Sequence, residues 1–93
     1  MKVIVIIGAS RGIGRATALA FAVPGTHLVL AARDGATLET VAAEARAAGA
    51  EASVVPCDVS AEPHVRRLIE TAAAITGKID ILINSAGGAV VAP

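Results

Sequence analysis

The sequence predicts an α/β protein: a parallel sheet of strand order 3-2-1-4 with helices on both faces. Three observations predict it. Short apolar, β-branched runs such as residues 3–7 lack polar alternation, as strands buried on both faces do. The stretches between them carry apolar residues at helical spacing. The two kinds of segment alternate strictly, β-α-β-α-β-α-β, so each helix is a crossover that returns the chain to the same end of one sheet. Composition agrees, since 55% of the 93 residues are hydrophobic and Phe21 is the single aromatic, leaving aliphatic layers to fill the core.

Residues 3–7, stopped by Gly8, read as the first strand. Residues 13–22 follow as a helix with Ile13, Ala16, Thr17 and Ala20 expected on its buried face, and Pro24-Gly25 ends it. Residues 27–32 form a second strand, broken by the turn chemistry of Arg33-Asp34-Gly35. Over residues 37–48, Leu38, Val41, Ala42 and Ala45 share a helical stripe that closes at Gly49. Residues 52–56 are a third strand, with Pro56 at its end where a missing N–H is tolerated.

Ser60 is the expected N-cap of a third helix, with Glu62 in the first turn, Val65, Leu68, Ile69 and Ala72 buried, and Gly77 at the end. Residues 79–83 form the fourth strand, with Ile79, Ile81 and Ile83 on one face and Asp80, Leu82 and Asn84 on the other. A loop from Asn84 to Gly88 then leaves the last five residues hanging. Right-handed crossovers place the first two helices on one face and the third on the other. The order reverses between strands 1 and 4, which opens a crevice at their carboxyl ends. No linker or repeat interrupts residues 1–93, so they are expected to form one domain.

Eight basic residues balance eight acidic ones, so no global field recruits nucleic acid or an anionic membrane. The apolar run after Met1-Lys2 is too short for a signal peptide, and none approaches a membrane span of about 18 residues. Cys57, the single cysteine, excludes an internal disulfide and fits a cytoplasmic protein. It reads as a buried thiol. His27 and His64 have no companions at metal-ligand spacing, so no metal site is expected.

The chemistry concentrates in Gly8-Ala9-Ser10-Arg11-Gly12-Ile13-Gly14, between the first strand and the first helix. Gly8 permits a sharp exit from the strand. Gly12 and Gly14 lack the Cβ atoms that would keep backbone amides and the positive helix end away from a pyrophosphate.

This Gly-x-x-x-Gly-x-Gly pattern resembles the cofactor fingerprint of the short-chain dehydrogenase/reductase family, whose fold is of the Rossmann type. Arg33 after the second strand, Asp58-Val59 after the third and Asn84-Ser85-Ala86-Gly87 after the fourth match the same family in register. The resemblance covers nearly the whole chain as the front half of that fold. Ile7 stands where the family usually has Thr, and Ser85 where it has a second Asn.

The resemblance implies a dinucleotide-binding set of Gly8, Ser10, Arg11, Gly12, Ile13, Gly14, Arg33, Asp58, Val59, Asn84, Ala86 and Gly87. Asp58 matches the adenine contact, and Asn84, Ala86 and Gly87 the lining near the ribose. An NAD site wants a carboxylate at the end of the second strand, where this chain has Ala32 and Arg33. A 2′-phosphate is therefore admitted, and Arg33 with Arg11 can clamp it, so the expected cofactor is NADP.

The family's activity is hydride transfer between NADP(H) and a carbonyl or alcohol, using a Tyr-x-x-x-Lys pair. The 93 residues contain no Tyr, and the only lysines are Lys2 and Lys78, so no catalytic residue is assigned and the chain is expected to be inactive alone. A stand-alone NADP(H)-binding or sensing module is the alternative. A methyltransferase half ranks below both, because it normally wants an acid where Ala32-Arg33 stand; an ATP-type loop is excluded by the lack of Gly-Lys-Ser/Thr. Finally, the strand at residues 79–83, lacking a fifth parallel neighbour, is expected to be an open edge through which chains self-associate.

Overall fold

The first apolar run is buried along its length: Val3, Ile4, Val5, Ile6 and Ile7 are all shielded from solvent. It is the middle of the sheet. The computed structural model describes residues 1–85 and 89–91. In chain order they form β1 (Lys2–Ile7), α1 (Gly12–Ala20), β2 (Thr26–Ala32), α2 (Gly35–Ala47), β3 (Glu51–Pro56), α3 (Glu62–Thr76), β4 (Ile81–Asn84) and β5 (Ala89–Val91).

The sheet order is β3-β2-β1-β4-β5. β1 lies parallel to β2, with Ile4 opposite Leu28, and parallel to β4, with Ile4 opposite Ile81. The expected 3-2-1-4 arrangement is present. It carries one addition, since β5 folds back antiparallel on β4, with Leu82 opposite Val91 and Asn84 opposite Ala89. The outer side of β4 is therefore paired from Leu82 to Asn84, and the expectation of an open edge at residues 79–83 is corrected there. An antiparallel neighbour needs no crossover helix, unlike the fifth parallel strand expected to be missing.

Alternation along the buried strands sends side chains to two cores. Ile4, Ile6, Leu28 and Leu30 pack with Leu38, Val41 and Ala42 of α2 and Ala18 of α1. Val3, Val5, Val29 and Ala31 pack on the opposite face with Leu68 and Ala72 of α3. The first two helices thus share a face and the third takes the other. Each fully buried Leu or Val contributes about 1.5–3 kcal/mol over an exposed one, so the α2 stripe alone anchors its helix.

Helix α1 is rotated from its expected setting. Ile13 is 81% exposed, and the buried positions are Gly14 and Ala18. Gly14 fixes the rotation: a Cβ built there would lie 1.9 Å from the carbonyl oxygen of Gly8. Since only glycine fits that contact, the stripe of residues 14, 18 and 22 faces the sheet, and Ile13, Ala16 and Ala20 turn outward.

The other differences are local. Ile79 packs with the α3-side core while Ile81 and Ile83 belong to the α1–α2 side, so the expected common face is broken at Asp80. There the Val3 amide donates to the Asp80 carboxylate at 2.8 Å and the Asp80 amide donates to the Val3 carbonyl at 2.9 Å; the regular pleat begins only at Ile81. The third helix is flanked by Ala61 as N-cap, not by Ser60. Both Ser60 donors turn back to Asp58 instead.

Candidate functional site

The carboxyl ends of β1, β2 and β3 converge on the loop of residues 8–11. Short bonds hold that loop: the Gly8 and Ala9 amides donate to the Ala31 carbonyl at 2.7 and 3.2 Å. On the other side the Ser85 amide donates to the Ile7 carbonyl at 2.9 Å, tying the end of β4 to the end of β1. Buried Ile7 belongs to the α3-side core, and the small Ser85 side chain lies close against Gly14. The two departures from the family pattern are thus packing positions here.

Gly12 begins α1 with a φ of +62°, a left-handed conformation that glycine adopts without strain. Its helix has no side-chain cap and no acidic residue in its first turn. The contrast with its neighbours is physical. Asp34 caps α2, accepting from the Ala36 and Thr37 amides through Oδ1 at 3.1 and 3.2 Å and from the Thr37 hydroxyl through Oδ2 at 2.6 Å. Glu62 and Pro63 occupy the first turn of α3. Among the described helices, α1 is the one whose positive end meets no carboxylate.

Beside it lies a cleft of about 410 Å³. Ile7, Gly8, Ser10 and Arg11 form one wall; Ala32, Arg33, Asp34 and Thr37 form a second; Cys57 and Val59 close the third. Of the residues singled out from sequence, Gly8, Ser10, Arg11, Arg33 and Val59 line this space. Gly12, Ile13 and Gly14 continue from Arg11 as the first turn of α1. Asp58 sits between two lining residues. Asn84 is opposite Ile7 in the β1–β4 ladder, at the strand-order reversal. Ala86 and Gly87 lie outside the described residues.

Arg11 and Arg33 each lie near enough to one acid to act on it, without a direct ion pair. The Asp34 carboxyl is held below the usual range, mainly by the Thr37 hydroxyl and amide, with a smaller contribution from the Arg11 charge. The Asp58 carboxyl is lowered mainly by the Ser60 hydroxyl and amide, with smaller contributions from Arg33 and His64. Cys57 is a free thiol, 3% exposed, whose burial pushes its pKa upward.

Sequence reasoning missed three contributors. Asp34 and Thr37 carry a signal that was available, an acid at the strand end followed three residues later by Thr, which is capping spacing. His64 carried none. Its Nδ1 accepts from the Asp58 amide at 3.1 Å, a contact made only by the fold of the loop between β3 and α3.

A parallel sheet of this order, with a glycine loop leading into an uncapped helix at the strand-order reversal, is a Rossmann fold. The short chain dehydrogenase profile matches residues 2–93, and the chain belongs to that family. It is 41% identical over 87 residues to an uncharacterized oxidoreductase of Mycobacterium tuberculosis, covering 94% of this chain and 33% of that protein. A fatty acyl-CoA reductase of Acinetobacter baylyi is 39% identical over 89 residues, which are 96% of this chain and 30% of the reductase. Among solved structures, a metagenomic short-chain oxidoreductase in complex with NADP superposes with a TM-score of 0.81 at 40% identity, covering 87% of this chain and 37% of that one. The chain spans about a third of the length of the relatives it matches. Among the described residues, no helix is long and apolar enough to cross a membrane.

Proposed function

We propose that the chain is the NADP(H)-binding half of an oxidoreductase that moves hydride between that cofactor and a carbonyl or alcohol. The observation that carries the reading is the uncapped N-terminus of α1 beside a cleft walled by Arg11 and Arg33. The pyrophosphate would meet the first-turn amides of Gly12, Ile13 and Gly14, and the adenosine 2′-phosphate would meet the two guanidinium groups. Asp58 and Val59 would border the adenine, with Asn84, Ala86 and Gly87 nearer the ribose. The similarity to the metagenomic oxidoreductase crystallised with NADP supports the same choice.

Asp34 is the one acid that could argue for NAD instead. Its oxygens already accept three hydrogen bonds from the first turn of α2, which supports its reading as a helix cap. Hydrogen bonds to charged groups contribute about 1.5–3 kcal/mol each before exposure discounts them, so NADPH should bind roughly tenfold to a thousandfold tighter than NADH. Isothermal titration with both nucleotides tests this. Arg33→Asp should abolish or reverse the ratio, and an unchanged ratio would sink the assignment.

Turnover is a separate matter. With no Tyr in 93 residues, the chain should bind NADPH without oxidising it, whatever carbonyl is offered. Reproducible carbonyl-dependent NADPH oxidation by the purified chain would count against this. A single domain over residues 1–93, a cytoplasmic setting and self-association through the β4 side of the sheet complete the proposal.

A further inference from the structure

His64 occupies the first turn of α3, and its ring reaches back to the preceding loop. There Nδ1 accepts from the Asp58 amide at 3.1 Å. An imidazole nitrogen accepts only when it carries no proton, so the bond requires the neutral ring with its proton on Nε2. In the imidazolium both nitrogens are donors and the Asp58 amide loses its partner. The loop has a second acceptor ready: the Asp58 carboxylate lies close enough for His64 to influence it, and its Oδ1 already receives the Ser60 amide and hydroxyl at 2.9 and 2.6 Å. A protonated ring would be drawn toward that carboxylate, in competition with Ser60.

We infer that His64 is a pH-sensitive positioning residue, which holds the Asp58–Val59 segment in its cleft-forming conformation when neutral and releases it when protonated. Val59 lines the cleft and Asp58 precedes it, so the loop's position sets the shape of the wall. As a consequence, nucleotide affinity should fall as pH drops through the imidazole titration, a step that rests on the NADP(H) reading. The charged groups nearest in sequence and fold are Asp58 on the loop, Glu62 and Arg67 on the neighbouring turns of α3, and Arg33 from the end of β2, which acts on Asp58.

Two measurements on the purified 93-residue chain test the inference. The first uses no nucleotide: the Asp58 amide proton shift is followed by NMR between pH 8 and 5.5. In the unsubstituted chain it should move with the His64 ring resonances. In His64→Asn, whose Oδ1 can accept the same bond without titrating, it should stay flat. The second measures NADPH and NADH binding over the same range. Losing one net hydrogen bond corresponds to about a fivefold weakening, expected in the unsubstituted chain beyond any change seen in His64→Asn. That variant cancels the titration of the 2′-phosphate itself, which falls near pH 6, and NADH lacks that phosphate. An Asp58 amide that ignores the imidazole titration, or identical pH profiles for both proteins, overturns the inference. An amide that titrates in a chain that binds neither nucleotide at any pH supports the loop switch and overturns the cofactor reading instead.

Discussion

Gly14 sets the seating of α1 on the sheet. Its missing Cβ lets α1 close on the carbonyl of Gly8, at a distance no other residue tolerates. Gly14→Ala should cost at least the 1–3 kcal/mol typical of overpacking, about 4–8 °C in melting temperature per kcal/mol for a domain of this size, and should weaken NADPH binding in parallel. Thermal melts with and without nucleotide would check both. The carboxylates give a second residue-scale expectation. Asp34, Asp58 and Asp80 all have folded-state pKa values lowered by hydrogen bonds. Their stabilisation is therefore complete above the ordinary carboxylate range and is lost as pH falls below it. Asp80→Asn should flatten the acid limb of the stability curve, in chemical denaturation between pH 5 and 3, more than a substitution of an exposed acid such as Glu39. That Gly8, Arg11 and Arg33 fall at strand ends was legible from the breaks in the apolar runs, and the fold brings them to one cleft. The partners of Asp34 and His64 were not, since a hydrogen bond between a side chain and a loop amide depends on φ and ψ that no spacing encodes.

At the level of elements, the strands and α2 follow directly from hydrophobic periodicity, because Leu38 and Val41 mark the buried stripe that Ala42 and Ala45 complete. Helix α1 does not. Its buried stripe is Gly14 and Ala18, the smallest residues available, while Ile13 points to solvent beside the cleft. A search for apolar residues ranks Ile13 above Gly14 and so rotates the helix the wrong way. The two settings make opposite forecasts for one substitution. Ile13→Ser should leave stability within about 0.5 kcal/mol, as surface changes do, and still weaken NADPH binding. Leu68→Ala, in the one described helix on the other face, should cost about 2–5 kcal/mol. A large loss of stability in the Ile13 variant would restore the buried reading. The start of β4 was misjudged for a related reason, since Asp80 uses its side chain as a ladder partner for Val3 and interrupts the pleat.

For the molecule as a whole, the strand order was legible because the glycine loop after the first strand marks a switch-point sheet, and right-handed crossovers then set the face of each helix. The pairing of β5 with β4 was not, as a strand of three residues carries no periodicity to read. Pairing with β5 covers the outer side of β4, so association between chains should be weaker than an open edge would give. Sedimentation at tens of micromolar should show a concentration-dependent equilibrium, shifted toward monomer by Ile81→Lys. A monomer at every concentration would remove self-association from the proposal.

The placement of β1 between β2 and β4 also has a consequence in time. Its β2 partner is made about two dozen residues later, but the Asp80 carboxylate that receives the Val3 amide is separated from it by 77 positions. As the chain leaves a ribosome, the α1–α2 side can condense first, with one flank of β1 still bare. The crevice between the carboxyl ends of β1 and β4 cannot exist until Asn84 has emerged. Closing so long a loop is slow compared with pairing neighbours. Nucleotide contacts that need Asn84 would therefore form last, after the Arg11–Arg33 cleft, whose walls all precede residue 60, is already in place.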